Sequence, residues 1–332
     1  MGTFDSRALR TTRRVSMGTV NAIRPIARVF VYILWSIAWL LAPAATDKLQ
    51  RLHPRVRSMS ASAFHARERV LVHLFTKRKM KILFSREQSM DFMDMAESLK
   101  AGFYDSPHDI AFEEFPPRNI KNYDLIVPLT VPHLKSLHEV RDLLIDNPIP
   151  IPSMESILLC DDKYLLNKAL TANGFEHFLP KEGGALTYPY ILKKRIDQWG
   201  KNSHLISNRQ QEQGFSDLST HPEYFAQNFI KGSCEYATHI LFKNQRIVHS
   251  LNIEYKFDTD TPIKGQDKVI YKMMCQCPYL DVFAAMLTAI GFNGLCCINY
   301  KVCDKHLYLL EINPRIGISL GWHFFSFIRH IP

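Results

Sequence analysis

The sequence has no paired CxxC set. Its seven cysteines (Cys160, Cys234, Cys275, Cys277, Cys296, Cys297 and Cys303) include a "CQC" and a "CC", but nothing at zinc spacing. A zinc ribbon is thereby excluded. An odd number of cysteines without a framework also excludes a disulfide-stapled secreted scaffold. It points to reduced thiols in a cytosolic compartment, with "CQC" and "CC" as half-buried small apolar residues. There is no internal repeat and no low-complexity tract, so a solenoid is excluded as well. The main body also lacks an excess of positive charge. The formal charge is +9 overall, yet residues 1–81 hold 16 Lys/Arg against 3 Asp/Glu, which leaves 25 against 29 for the rest. The basicity belongs to the N-terminal quarter, and the body carries no electrostatic footprint of a nucleic-acid groove.

That quarter contains a charge-free run. Residues 29–45, "VFVYILWSIAWLLAPAA", span 17 positions between Arg24 and Arg28 on one side and Lys48 and Arg51 on the other. Such a length is the short end of a membrane span, about 17–25 residues. Three readings stand. The first is a single membrane anchor. The second is a secretory signal, since "APA" at 42–44 resembles a small-residue cleavage site, although the region before it is too long. The third is an incidental segment, because "MKILF" from Met80 reads as the start of a domain. The run is apolar all round, which fits a span better than a surface helix. Basic flanks on both sides leave its orientation open.

A length of 332 residues is a soft prior for about two domains. "KILFS" (81–85) reads as a first strand, 89–104 as a helix, "YDLIVPLT" (123–130) as a second strand, and "VPHLKSLHEVRDLL" after it as a helix. This β–α–β–α order predicts a small parallel α/β layer. Proline-rich "NPIPIPS" (147–153) marks a boundary. Beyond it, a helix stopped at Gly174 precedes strand, Gly-containing turn and strand in "YPYILKKRIDQWGKNSHLI". Further strands with a Lys-Asn turn follow, then the amphipathic helix "YLDVFAAMLTAIGFNG". Last comes the hairpin "LCCINYKVCDKHLYLLEIN", turning at Asp304–Lys305.

That hairpin concentrates chemistry. In "INYKV", Asn299 stands on one face with Ile298 and Tyr300 on the other; in "LLEIN", Glu311 and Asn313 share a face. If the two strands pair antiparallel, Asn299, Glu311 and Asn313 converge. Three oxygen-bearing side chains on one face suit a hard divalent cation, and Mg²⁺ takes few protein ligands plus phosphate oxygens. A lone carboxylate in an otherwise apolar strand is costly unless it has such a partner.

"LLEINPR" resembles the terminal metal-binding motif of the ATP-grasp superfamily, and residues from about 150 to 320 resemble its other parts in order. The resemblance implies an α+β grasp with antiparallel sheets, preceded by a small parallel α/β domain. On it, residues 1–79 are a basic N-terminal region, 80–150 the preceding domain and 151–332 the grasp. It implies ATP with Mg²⁺, or Mn²⁺ in its place. Lys193 in "YPYILKK" matches the basic residue on the α- and β-phosphates, and Lys163 opens the linker helix. Gly200 and Lys201 lie in "WGKNS", which resembles the phosphate-covering loop. Gln227, Phe229 and Ile230 in "AQNFIKGSCEYA" match the adenine hinge, and Glu235 matches the ribose-side acid. Glu311 and Asn313, with Asn299 assisting, would hold the metal, and Arg315 would steady the γ-phosphate or an acylphosphate. "GISLG" (317–321) would line the acceptor side; His249 and His323 read as structural, and Lys194 and Arg195 as surface charges.

Two features depart from the pattern. The phosphate loop has one glycine, Gly200, where many members have several. Asn299 stands where many members have Asp, Glu or Gln, and an amide is the weaker Mg²⁺ ligand, which lowers the expectation of a second metal ion. The implied activity is an ATP-dependent carboxylate–amine ligase working through an acylphosphate on small-molecule substrates. A grasp-type kinase and a non-catalytic nucleotide-binding module are the rivals. The catalytic part is expected in the cytoplasm, tethered to a membrane if residues 29–45 are an anchor.

Overall fold

A computed structural model describes residues 78–86, 108–144, 146–183, 186–198, 200–329 and 331, all within one compact unit, Phe75–Pro332. The apolar run 29–45 and the helix expected over 89–104 lie outside the described residues. Among the described residues no helix is long and apolar enough to cross a membrane.

The first layer is a parallel sheet of β1 (Lys81–Ser85), β2 (Asp109–Glu113) and β3 (Leu125–Val127), in the order β2-β1-β3. Ile82, Leu83 and Phe84 are fully buried, as expected of a central parallel strand covered on both faces. β3 is shorter than the 123–130 run: Tyr123 ends a 3₁₀ turn, and Pro128 cannot extend the ladder. β2, "DIAFE", is a half-buried edge strand whose weak apolar pattern gave no signal. α1 (Val131–His138) begins at Thr130, whose hydroxyl accepts from the backbone N–H of His133.

α2 (Met154–Asp161) and α3 (Lys163–Ala172) are divided by Asp162. Its backbone is extended (φ −97°, ψ 101°), and its carboxylate accepts from the N–H groups of Tyr164 and Leu165, capping α3. Gly174, at φ +82°, terminates the segment in the left-handed region as the sequence predicts.

A small antiparallel sheet follows, β4 (Tyr190–Lys194), β5 (Ser203–Ile206) and, after the short helices α4 (Arg209–Gly214) and α5 (Ser216–Ser219), β6 (Tyr224–Asn228), in the order β5-β4-β6. The large antiparallel sheet has the order β11-β10-β7-β8-β9, built from β7 (Cys234–Lys243), β8 (Arg246–Phe257), β9 (Val269–Cys275), β10 (Gly294–Cys303) and β11 (His306–Asn313). α6 (Leu280–Ala289) lies between β9 and β10 in the chain, and α7 (Phe324–Ile328) closes it. Both β7–β8 and β10–β11 are two-residue hairpins with φ positive at both turn positions: Asn244 and Gln245, then Asp304 and Lys305. The first turn thus falls one residue beyond the expected Lys-Asn pair.

The main core packs α3 and α6 on one face of the large sheet. Leu166, Phe283, Met286 and Leu287 meet Ile298, Tyr300, Leu309 and Ile312 there. Alternation then sends Cys297, Asn299 and Lys301 to the opposite face of β10. That face looks into a cleft.

Candidate active site

The cleft lies between the two antiparallel sheets and spans about 1070 Å³, including space open to solvent. Of the residues singled out from the sequence, Lys163, Lys193, Gly200, Gln227, Phe229, Ile230, Glu235, Asn299, Glu311, Asn313 and Arg315 all line it. Lys201 does not: it is exposed, one residue past the glycine that turns the loop. From the "GISLG" stretch, Gly317, Ile318 and Ser319 reach the cleft, whereas Leu320 is buried.

Glu311 on β11 is the direct cross-strand partner of Asn299 on β10. Asn299 Nδ2 donates to Glu311 Oε1 at 2.6 Å, and Asn313 Nδ2 donates to the same oxygen at 2.9 Å. The other oxygen, Oε2, lies 3.4 Å from Lys163 Nζ. Burial would raise the pKa of this carboxyl, but Lys163, the two amide donors and Lys264 outweigh it and bring it down to about 2. Glu311 is therefore a fixed anion, although its side chain is only 25% exposed.

Lys163 occupies the first position of α3, and its Nζ also donates to the Asp197 carbonyl at 2.7 Å. Its backbone N–H donates to the Arg195 carbonyl, while the Arg195 guanidinium grips Asp162, with Nη2 2.6 Å from Oδ2. Arg195, expected as a surface charge rather than a ligand, does not line the cleft; it ties the end of β4 to the start of α3. Lys193 on β4 is half-buried. Burial lowers its ammonium to about 8; Lys163 and Lys301 add to the shift, while Glu311 and Glu235 oppose it.

On β6, Gln227 is 1% exposed, and its Oε1 has no hydrogen-bond partner. An acceptor orphaned this way is costly unless a ligand donor meets it. Next to it, Lys301 Nζ donates to the Ile230 carbonyl at 2.9 Å and to that of Gly232 at 3.2 Å, and lies 4.8 Å from the Phe229 ring centroid. Arg315 is 7% exposed, and its Nη1 donates to the Ile316 carbonyl at 2.7 Å. Gly317 fits tightly: an added Cβ would meet His239 Cε1 at 2.7 Å and Cys297 Sγ at 2.8 Å. His239 Nε2 in turn lies 2.8 Å from Ser319 Oγ, which orients that hydroxyl at the cleft wall. Of the two histidines read as structural, His249 packs against the Phe327 ring.

Among the lining residues that the sequence reading did not single out are Tyr255, Lys264, Cys297 and Lys301. Cys297 and Lys301 were detectable, since they alternate with Asn299 on β10. Lys264 comes from the loop between β8 and β9, where no periodicity points inward.

The donor set accommodates one hard divalent cation. Glu311 is ionised, and the amides of Asn299 and Asn313 flank it on the cleft face of one hairpin, with their nitrogens turned toward its Oε1. Among the described residues no group of three or more His, Cys, Asp or Glu could hold a metal, so the set is one carboxylate plus amides.

Residues 160–319 match the family model of the ATP-grasp domain. Among solved structures, the chain resembles the VanG D-Ala:D-Ser ligase of Enterococcus faecalis, at 13% identity over 73% of this chain and 92% of that one, with a TM-score of 0.52. It resembles an L-amino acid ligase of Bacillus licheniformis at 16% identity over 75% and 70%, TM-score 0.51. A D-alanine–D-alanine ligase of Bacillus anthracis aligns at 15% identity over 73% and 89%, TM-score 0.50. Comparison with curated protein sequences gives no match. At these identities the likeness is one of fold, and the domain match places an ATP-grasp domain at residues 160–319 of this chain.

Proposed function

We propose that the chain is an ATP- and Mg²⁺-dependent ligase that activates a carboxylate as an acylphosphate for attack by an amine or a thiol. One observation carries the reading. The ionised Glu311, braced by Asn299 and Asn313, meets Lys163, Lys193 and Arg315 in a single cleft. The names of the three structural neighbours, all ligases, support the same class. In this reading residues 80–150 are the preceding α/β domain and 151–332 the grasp.

The adenine ring would lie against Phe229 and Ile230, with its exocyclic amine donating to the orphaned Gln227 Oε1. Glu235 lies on the ribose side. Lys193 and Lys163 would hold the phosphates as point charges beneath the Gly200 turn. A divalent cation held by Glu311 and Asn313 would supply charge neutralisation at the phosphates. A carboxylate oxygen then bonds to the γ-phosphorus as the bond to ADP breaks. The amine next bonds to the acyl carbon as phosphate leaves. Arg315 neutralises the oxygens of the transferred group, and most of the barrier reduction comes from positioning and fixed charge.

The test is ADP release by the full chain over a panel of carboxylates, amines and alcohols. Release that requires a carboxylate and is completed by an amine or thiol is expected. Release driven by an alcohol alone would make the protein a kinase, and ATP binding without turnover on any combination would make it a nucleotide-binding module. Glu311→Ala should lower turnover by about 10²–10³-fold with an unchanged circular dichroism spectrum. Full activity in that variant would remove the assignment.

A further inference from the structure

Two cleft cations, Lys264 and Lys301, have no part in the reaction above, and Lys264 is the one that meets a hairpin amide. Lys264 lies in the loop between β8 and β9. Its Nζ is 2.9 Å from Asn299 Oδ1, 3.3 Å from Glu235 Oε1 and 4.3 Å from the Tyr255 ring centroid. The side chain is 25% exposed, so protein groups rather than water fix the ammonium. The loop is itself held in place. Gln266 Nε2 donates to the carbonyls of Gly200 (2.5 Å) and Ser203 (2.9 Å), and the N–H of Ile263 donates to Asp267 Oδ2 at 2.6 Å.

Asn299 is the residue a second metal ion would need, and both ends of its amide are engaged. Nδ2 donates to Glu311 and Oδ1 accepts from Lys264. A carboxylate has two charged oxygens to share between cations; an amide has one neutral oxygen, and here it already accepts from the Lys264 ammonium at 2.9 Å and from Cys297 Sγ at 3.8 Å. The charge balance agrees. Five cationic side chains (Lys163, Lys193, Lys264, Lys301 and Arg315) face two anionic ones, Glu235 and Glu311, across the cleft. Tetra-anionic ATP with one divalent cation and one carboxylate substrate offsets that excess. A second divalent cation would leave positive charge uncompensated in a confined site.

We propose that Lys264 is the resident cation at Asn299, standing in place of a second divalent ion, so that the nucleotide binds with a single metal at Glu311 and Asn313. The inference rests on the ATP- and metal-dependent reading above. A tethered ammonium fixes a charge there without dehydrating an ion, at the cost of the wider coordination a metal would offer the phosphates.

The experiment counts Mn²⁺ by electron paramagnetic resonance on the full chain with the non-hydrolysable analogue AMP-PNP, with nucleotide stoichiometry taken by calorimetry on the same samples. One Mn²⁺ per bound nucleotide is expected in the unmodified chain and in Lys264→Arg. The double variant Asn299→Asp/Lys264→Ala is expected to bind two, with the spectrum broadened by coupling between neighbouring ions. Two Mn²⁺ per nucleotide in the unmodified chain would overturn the proposal, and that count needs no variant to fold. Failure of AMP-PNP to bind at all would overturn the ATP reading and this inference together. Binding with two ions would overturn this inference alone.

Discussion

Lys193 is an ammonium withdrawn from water, and its lowered pKa of about 8 records chiefly that burial, with Lys163 and Lys301 adding to it. The sign is that of a depressed base: the charged form prevails below about pH 8, and the neutral form above it. Phosphate binding needs the charged form, so affinity for AMP-PNP should fall as pH rises through that value. The expected slope is up to about tenfold per pH unit. Calorimetric titrations from neutral to alkaline pH should show this bend, and Lys193→Arg should remove it, because a guanidinium does not titrate there. A bend that persists in the arginine variant would assign the titration to another group. At this scale the sequence was most informative where period 2 applies. Asn299, Glu311 and Asn313 were legible because side chains in paired strands must alternate, and the same rule, carried two residues further, would have reached Lys301. Lys264 was not legible, because its loop has no period and its partners Asn299, Glu235 and Tyr255 are distant in sequence.

A short device at the junction of α2, α3 and β4 converts sequence into a positioned charge. A lysine at the start of a helix opposes the helix dipole, so Lys163 needs a reason to stay there. Asp162 supplies it by capping α3 through two backbone N–H groups while its carboxylate binds the Arg195 guanidinium. The Lys163 side chain is thereby held between Glu311 and the Asp197 carbonyl. Asp162→Ala should cost about 1–2 kcal/mol in urea unfolding for the lost cap, and should weaken AMP-PNP binding as well, since Lys163 loses its anchor. Asp162→Asn keeps the cap oxygen and should retain most of the stability while still weakening binding. Equal stability losses in the two variants, with unaltered affinity, would show that Asp162 only caps. The stop at Gly174 was readable because left-handed termination is local, whereas the start at Lys163 came from the resemblance and not from the cap. β2 was not readable. Its burial comes from a parallel partner across the sheet rather than from its own pattern.

The order of parts along the chain was legible as a whole, since each motif keeps its place relative to the next. What the order did not reveal is how the two antiparallel sheets are latched over the cleft. The turn between β4 and β5 meets the loop between β8 and β9, through Gln266 to the Gly200 and Ser203 carbonyls. Gly200 makes this possible twice over. Its φ of +63° is one that side-chain-bearing residues seldom adopt, and a Cβ there would sit 2.8 Å from the Lys264 carbonyl. That contact is backbone, so no side-chain rotation relieves it, and either the turn or the loop must move. The single glycine of the turn between β4 and β5 therefore also bears on where Lys264 is carried. Gly200→Ala should leave the thermal midpoint within about 5 °C, because the change is confined to the latch. It should reduce AMP-PNP affinity by about tenfold or more, since both covering loops lose their register. Limited proteolysis should then cut faster between β8 and β9 in the variant, and saturating nucleotide should restore less protection than in the unmodified chain. Unchanged affinity and cleavage would mean that the two loops do not act together, and that Lys264 is held by Asn299, Glu235 and Tyr255 alone.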